Sequence, residues 1–523
     1  MTSLADLVGQ SLMLSFAGKQ ATSSVLDALE RTRAGGVILF APNIGTPAEL
    51  YELVAELQTH AAKCGLPPLL VAIDQEGGLV GRLPTPWTTP PSQMAQTATG
   101  NLEAAYDAAY ITGQQLRAYG INTNFAPVLD VNNNPANPVI GTRSYGEDVG
   151  VVTAAGLAAL RGYRAAGVIA TVKHFPGHGD TDIDSHLGLP IVHHGNDRLT
   201  AIELAPFISA FEAGAPALMT AHIIFGALDE LPATLSRPIL TELLREQLGY
   251  DGLVFTDALE MRAIADTYGA TEASLLSKAA GADVLLPLGR LDHQVASAQA
   301  LVEAIEAGRL SRSAFESTQR RVERLRSEYA LTHALPPFAL PDGALHDAAL
   351  NIARRSITVL HGQDSLPLPS TTQVALVDCV LPRFSAVEEA WERSVLMREL
   401  VTRSFPHTKS LTLSPEPRDD ELAAVLAMAE RSEVVLLLTR NAFLLERQQQ
   451  LAQLLLATGK PVIHVAARSP YDAAVISGSV ATLLIYGDPV VSLEALVDVL
   501  AGHVEPQGQL PVTLPYRAGA QVS

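Results

Sequence analysis

Eight short apolar runs, each followed by an Ala/Leu/Glu-rich amphipathic stretch, pace the first part of this chain, near 11–15, 36–40, 69–74, 122–127, 167–173, 217–222, 253–257 and 282–286. Runs that are apolar on both faces suit a parallel sheet covered by helices, and eight such units are what a (β/α)8 barrel of the TIM type needs to close. Five of them end on Asp74, on Asn124 with Pro127, on Lys173-His174, on His222 and on Asp257. In a barrel these ends share one face, so polar residues distant in sequence are expected to line a single pocket.

The rhythm weakens after Arg326, and the Pro-rich stretch 334–343 has the composition of a linker. The expected organisation is a barrel over 1–332, a linker over 333–345, and a smaller layered α/β sandwich domain over 346–523. Buried-strand runs lie in that second unit at 373–377, 433–438, 461–466 and 481–486, with a helix over 420–431. Its strand ends carry few clustered acids, bases or histidines, so no second active site is expected there. A length of 523 residues makes two domains the default, and 48% apolar residues can fill both cores. The net charge of −19 argues against nucleic acid or an anionic membrane surface as partner. Cys64 and Cys379 are too few for a disulfide framework and too far apart for a metal-ligand pattern. No segment approaches membrane-span length, and Met1-Thr2-Ser3-Leu4-Ala5-Asp6-Leu7 lacks a basic start with an apolar run, so a soluble, cytoplasmic protein is expected. Nothing in the sequence encodes an oligomeric state.

The densest chemistry follows the fifth run. Lys173-His174-Phe175-Pro176-Gly177-His178-Gly179-Asp180-Thr181-Asp182-Ile183-Asp184-Ser185-His186 is a poor recipe for helix, strand or core. Set beside Asp74-Gln75-Glu76-Gly77-Gly78, Arg143-Ser144-Tyr145-Gly146-Glu147-Asp148 and Phe255-Thr256-Asp257-Ala258-Leu259-Glu260-Met261, it resembles glycoside hydrolase family 3, and more narrowly its NagZ-type β-N-acetylglucosaminidase branch. Weaker resemblance continues at 352–358 and 508–515. The resemblance implies a retaining β-N-acetylglucosaminidase without metal or organic cofactor, acting on small peptidoglycan-derived saccharides or muropeptides. It puts the nucleophile on Asp257, an acid/base dyad on Asp184 and His186, and sugar-hydroxyl contacts on Asp74, Arg82, Arg143, Lys173 and His174. Leu79 stands where the family usually has arginine, and Val149 where it often has proline. Ala258 follows Asp257 where the family's β-glucosidase branch has tryptophan.

Cleavage with retention needs a nucleophile beneath the anomeric carbon and a proton donor beside the leaving oxygen. An imidazole titrates near pH ~6.5 unperturbed, and the Asp184 carboxylate favours its charged form, so His186 suits the donor role. Gly177 and Gly179 are expected to let this loop fold over a bound sugar as a mobile lid.

Other readings of the same residues stay open. Asp257-Ala258-Leu259-Glu260 has the spacing of a helix capping box, and Asp74 suits the start of a turn. Arg143 and Lys173 can serve as plain ion-pair partners, and His222 as a pocket-wall residue. His174 and His178 have the i, i+4 spacing of a helical metal site, but Pro176 and Gly177 lie between them. A loop site built from His178, Asp180, Asp184 and His186 would make a metal-dependent hydrolase. A histidine base repels phosphate less than a carboxylate does, which opens a phosphorylase reading. Intact Asp184, His186 and Asp257 argue against an inactive saccharide-binding protein.

Overall fold

The computed structural model describes residues 3–381, 383–385, 387–389 and 393–515. Met1, Thr2 and 516–523, which the sequence reading assigned to the first and second domains, lie outside the described residues.

Seven parallel strands form one sheet in chain order: β1 (Met13–Leu14), β2 (Gly36–Leu39), β3 (Leu70–Ile73), β4 (Thr123–Asn124), β5 (Ile169–Phe175), β6 (Ala217–Thr220) and β7 (Leu253–Phe255). The eighth run differs from expectation. Residues 282–286 form no regular strand, yet Val284 bridges Phe255 and Leu285 bridges Leu12, so the sheet closes on itself through two single bridges. Alternation along the strands sorts the core: Val37, Leu39, Val71, Ile73, Val172 and Leu218 pack outward under the helices. Ile38, Leu70, Ala72, Ile169, Ala217, Met219 and Phe255 fill the barrel interior. Since all seven strands run the same way, their carboxyl ends share one rim.

The helix Arg312–Glu328 is followed by a strap without regular structure. Tyr51 and Tyr119 donate from their hydroxyls to the Pro336 and Ala339 carbonyls at 2.8 Å each, fastening that strap to the barrel. The helix Gly343–Ser356 opens a second sheet of β8 (Thr358–His361), β9 (Val374–Cys379), β10 (Lys409–Leu413), β11 (Val434–Thr439), β12 (Val462–Ala466) and β13 (Ala481–Leu484). Its order is β8-β13-β12-β11-β9-β10, with β8 antiparallel and the rest parallel. Leu376, Leu436 and Ile463 pack on one side with Ile352, Met397 and Leu496. Val377, Val435 and Leu437 pack on the other with Val425 and Leu455, giving a sandwich of helices about the sheet. The strand ends of this domain do gather charge, contrary to expectation. Arg440 reaches Asp378 and, at 2.7 Å, Asp488, while Arg468 reaches Glu388 at 2.9 Å, all of them buried.

The two sheets share side chains across their boundary. Ala104, Ala108 and Ile111 of the barrel belong to the second domain's core, and Met94, Ala95 and Ala98 pack with Tyr471, Tyr486 and Leu514. Ser92 Oγ donates to the Tyr486 carbonyl at 2.7 Å, and Asn132 Nδ2 to the Tyr471 hydroxyl at 2.8 Å. Among the described residues no helix is long and apolar enough to cross a membrane.

Candidate active site

A cavity of about 470 Å³ opens at the carboxyl rim of the barrel. Its wall includes Asp74, Arg82, Arg143, Lys173, His174, His186 and Asp257, seven side chains that the sequence singled out, from the ends of four strands, β3, β4, β5 and β7, and the loops after them. Asp184, the eighth, sits behind His186 and accepts its Nδ1–H at 2.7 Å and its backbone N–H at 2.9 Å. Burial pushes the Asp184 carboxyl up, but these donors hold it below its ordinary value. With Nδ1 committed to Asp184, Nε2 is the His186 nitrogen left to serve the cavity.

The floor is an ion network. Lys173 Nζ contacts Asp74 Oδ1 at 2.7 Å and Glu76 Oε1 at 2.8 Å, and Arg143 grips Glu76 through two bonds of 2.8 Å. Burial alone would raise the Glu76 carboxyl, yet Arg143 and Lys173 hold it far below its usual range. Glu76 was missed in the sequence, although its position two residues after Asp74 puts it within the same acidic motif. Removing one partner of a buried pair strands the other charge, so Glu76→Gln is expected to lower the unfolding free energy by about 3–5 kcal/mol. The measurement is a urea titration, in which the midpoint falls while the slope stays unchanged.

His174 is held the same way. Its Nδ1 pairs with Asp130 Oδ2 at 2.7 Å, and Asp130 Oδ1 also accepts the His174 and His178 backbone N–H groups at 3.1 and 2.7 Å. The only sequence signal for Asp130 was an acid set between Leu129 and Val131. His222, buried, pairs with Thr234 Oγ1 at 2.8 Å and the Ala258 carbonyl at 2.9 Å, and burial pushes its ring down from the usual value.

Asp257 does not cap a helix. The next helix is Arg262–Ala265 with Met261 at its N-cap, and Asp257 Oδ1 instead accepts the adjacent Ala258 N–H at 2.8 Å. Burial pushes this carboxyl up, but the imidazoles of His222, His174 and His186 hold it below its ordinary value. Glu260 also lines the cavity, and desolvation beside Asp257 pushes it up to about 7.

The loop glycines permit close packing, and Gly177 also a backbone conformation that other residues rarely adopt. A Cβ on Gly179 would lie 1.7 Å from the Val131 carbonyl oxygen, and Gly177, at φ +144°, abuts Glu203. Asn137 Nδ2 donates to the His178 and Gly179 carbonyls at 2.9 Å each. Downstream, Ile191–Val192 pairs with Ile224–Phe225, so the dyad lies between two anchored ends. His178, Asp180, Asp184 and His186 do not converge as metal ligands among the described residues. Both His178 ring nitrogens are engaged, by Thr181 at 2.9 Å and Ser185 at 3.1 Å, and burial pushes the ring down to about 4.

The second domain supplies part of the wall, which no sequence feature suggested. Arg383, Val387, Glu388 and Glu389 line the cavity, and Arg82 donates to the Val387 carbonyl at 2.7 Å and pairs with both Asp74 and Glu389. Leu79, in place of the expected arginine, faces a separate small cleft between the domains, lined also by Tyr471 and Arg468. Val149 is the first residue of the helix Val149–Ala166, a position that suits proline, and Asp148 caps that helix.

Comparison with known proteins gives a consistent picture. The family model described as "Glycosyl hydrolase family 3 N terminal domain" matches residues 3–325, and "Glycosyl hydrolase family 3 C-terminal domain" matches 290–523. Beta-hexosaminidase A of Pseudoalteromonas piscicida is 36% identical over 68% of this chain, which spans 63% of that protein's length. A beta-hexosaminidase of Thiobacillus denitrificans is 38% identical over 53% of this chain and 77% of its own. A glycoside hydrolase family 3 beta-N-acetylglucosaminidase from Paenibacillus sp. str. FPU-7 superposes with a TM-score of 0.93 at 38% identity, covering 99% of this chain and 100% of that one.

Proposed function

Because this chain belongs to glycosyl hydrolase family 3, we propose that it is a retaining β-N-acetylglucosaminidase working through a glycosyl-enzyme on Asp257. The observation that carries this reading is that Asp257, held below its ordinary carboxyl value, and the Asp184-anchored ring of His186 open onto one cavity, beside polar side chains from the ends of three strands, β3, β4 and β5. The names of the relatives support the N-acetylglucosaminide specificity.

In the first step the Asp257 carboxylate forms a bond to C1 while the glycosidic C–O bond breaks. The leaving oxygen takes the proton from His186 Nε2. In the second step neutral His186 removes a proton from water, whose oxygen displaces the carboxylate from C1 with overall retention. Asp184 holds the ring by Nδ1 throughout, so one nitrogen performs both transfers. Asp74, Arg82, Arg143, Lys173 and His174 form the polar wall that would hold the sugar hydroxyls. The same proposal sets the enzyme in the cytoplasm, acting on small peptidoglycan-derived saccharides or muropeptides.

Water is taken as the acceptor in place of phosphate, in keeping with the beta-hexosaminidase names of the relatives. An aryl β-N-acetylglucosaminide is expected to turn over equally in phosphate and phosphate-free buffer, releasing free sugar first as the β-anomer, read by NMR. Release of sugar 1-phosphate would replace this reading with a phosphorylase, and initial α-anomer would exclude the covalent route.

A further inference from the structure

We propose that Asp180, His194 and Glu203 form a zinc-binding site at the neck of the dyad-bearing loop. One ligand atom from each side chain falls within 4.8 Å of the others. Asp180 lies at the loop's entry and His194 at its exit, already in contact through Nε2 and Oδ2 at 2.5 Å, and Glu203 ends the helical turn Leu199–Glu203 beneath them.

A second observation points to a ligand. Glu203 is 3% exposed, and its Oε2 has no hydrogen-bond partner among the described residues. Its Oε1 has only a 3.3 Å contact from Asn133 Nδ2 and a 3.5 Å contact from Arg198. The neighbouring Asn133 Oδ1 and Arg198 Nε are likewise buried and unpartnered among the described residues. A buried, half-satisfied carboxylate is costly, and a cation is the ligand that relieves it. One imidazole and two carboxylates match a zinc ion, with bonds of about 2.0–2.2 Å and a water completing four positions.

Arg198 now serves as the cation, donating to Asp180 Oδ2 at 2.9 Å. Its side chain is 37% exposed and can rotate outward as the metal enters past the partly exposed Asp180 and His194. Zinc would then fasten both ends of the segment 181–193, which carries Asp184 and His186, without touching either of them.

The test is calorimetric titration of the metal-free full chain with zinc chloride alone. One zinc per chain is expected. His194→Ala and Glu203→Gln should each weaken binding more than about 10-fold. Arg198→Ala should tighten it by removing the competing guanidinium, and His186→Ala should leave it unchanged. If Glu203→Gln does not fold, the partly exposed His194 and Arg198 variants still decide the matter. In parallel, zinc should slow proteolytic cutting within 182–191 in the parent but not in His194→Ala. Absence of binding, indifference to His194→Ala, weaker binding in Arg198→Ala, or loss on His186→Ala, which puts the metal on the dyad, would each overturn the site.

Discussion

Asp257→Asn is expected to lower turnover of aryl β-N-acetylglucosaminides by about 10⁴-fold or more, with substrate affinity largely kept. The amide preserves the shape and the bond from the Ala258 N–H but cannot attack C1. The distinguishing measurement uses Asp257→Gly with azide. The small anion can enter the space left beneath the sugar and displace an activated aryl group, giving the α-glycosyl azide, inverted relative to the substrate. Recovery of hydrolysis with azide but without that product would mean that Asp257 supports the fold or the sugar and is not the nucleophile.

His186→Ala should divide substrates by their leaving group. For a disaccharide, whose departing oxygen needs a proton, kcat/KM is expected to fall by about 10²–10⁴-fold. For an activated aryl glycoside kcat/KM should stay within about 10-fold of the parent. Its kcat should still fall, because removal of the base slows the attack of water on the intermediate. A burst of aryl release followed by a slow steady state is the signature to look for. Equal loss of kcat/KM for both substrates would show that His186 binds sugar and does not donate the proton. Asp184→Asn, which leaves the ring in place but weakens its anchor, is expected to show the same division more mildly.

Seven strands and the pocket end of the barrel were legible because apolar runs flanked by polar ends report burial directly. The eighth was only half legible: 282–286 is apolar enough to close the sheet, but it does so through single bridges at Val284 and Leu285. Asp257 illustrates a local pattern overridden by tertiary context, since its capping-box spacing precedes a turn and no helix starts there. Gly177 and Gly179 suggest mobility in the sequence, and the fold adds a reason that the sequence does not show: close contacts with Val131 and Glu203, with a φ of +144° at Gly177. The network of Asp378, Arg440, Arg468, Asp488 and Glu388 escaped notice because its members come from separate segments that only the fold brings together. The same holds for Glu388 and Glu389 at the cavity, which lie in a segment with no periodic pattern of its own.

Arg82 has one hand on Asp74 in the barrel and the other on Val387 and Glu389 across the domain boundary. A barrel produced without the second domain would therefore lose Arg383, Val387, Glu388 and Glu389 from its cavity wall and leave the Arg82 guanidinium paired with Asp74 on one side alone.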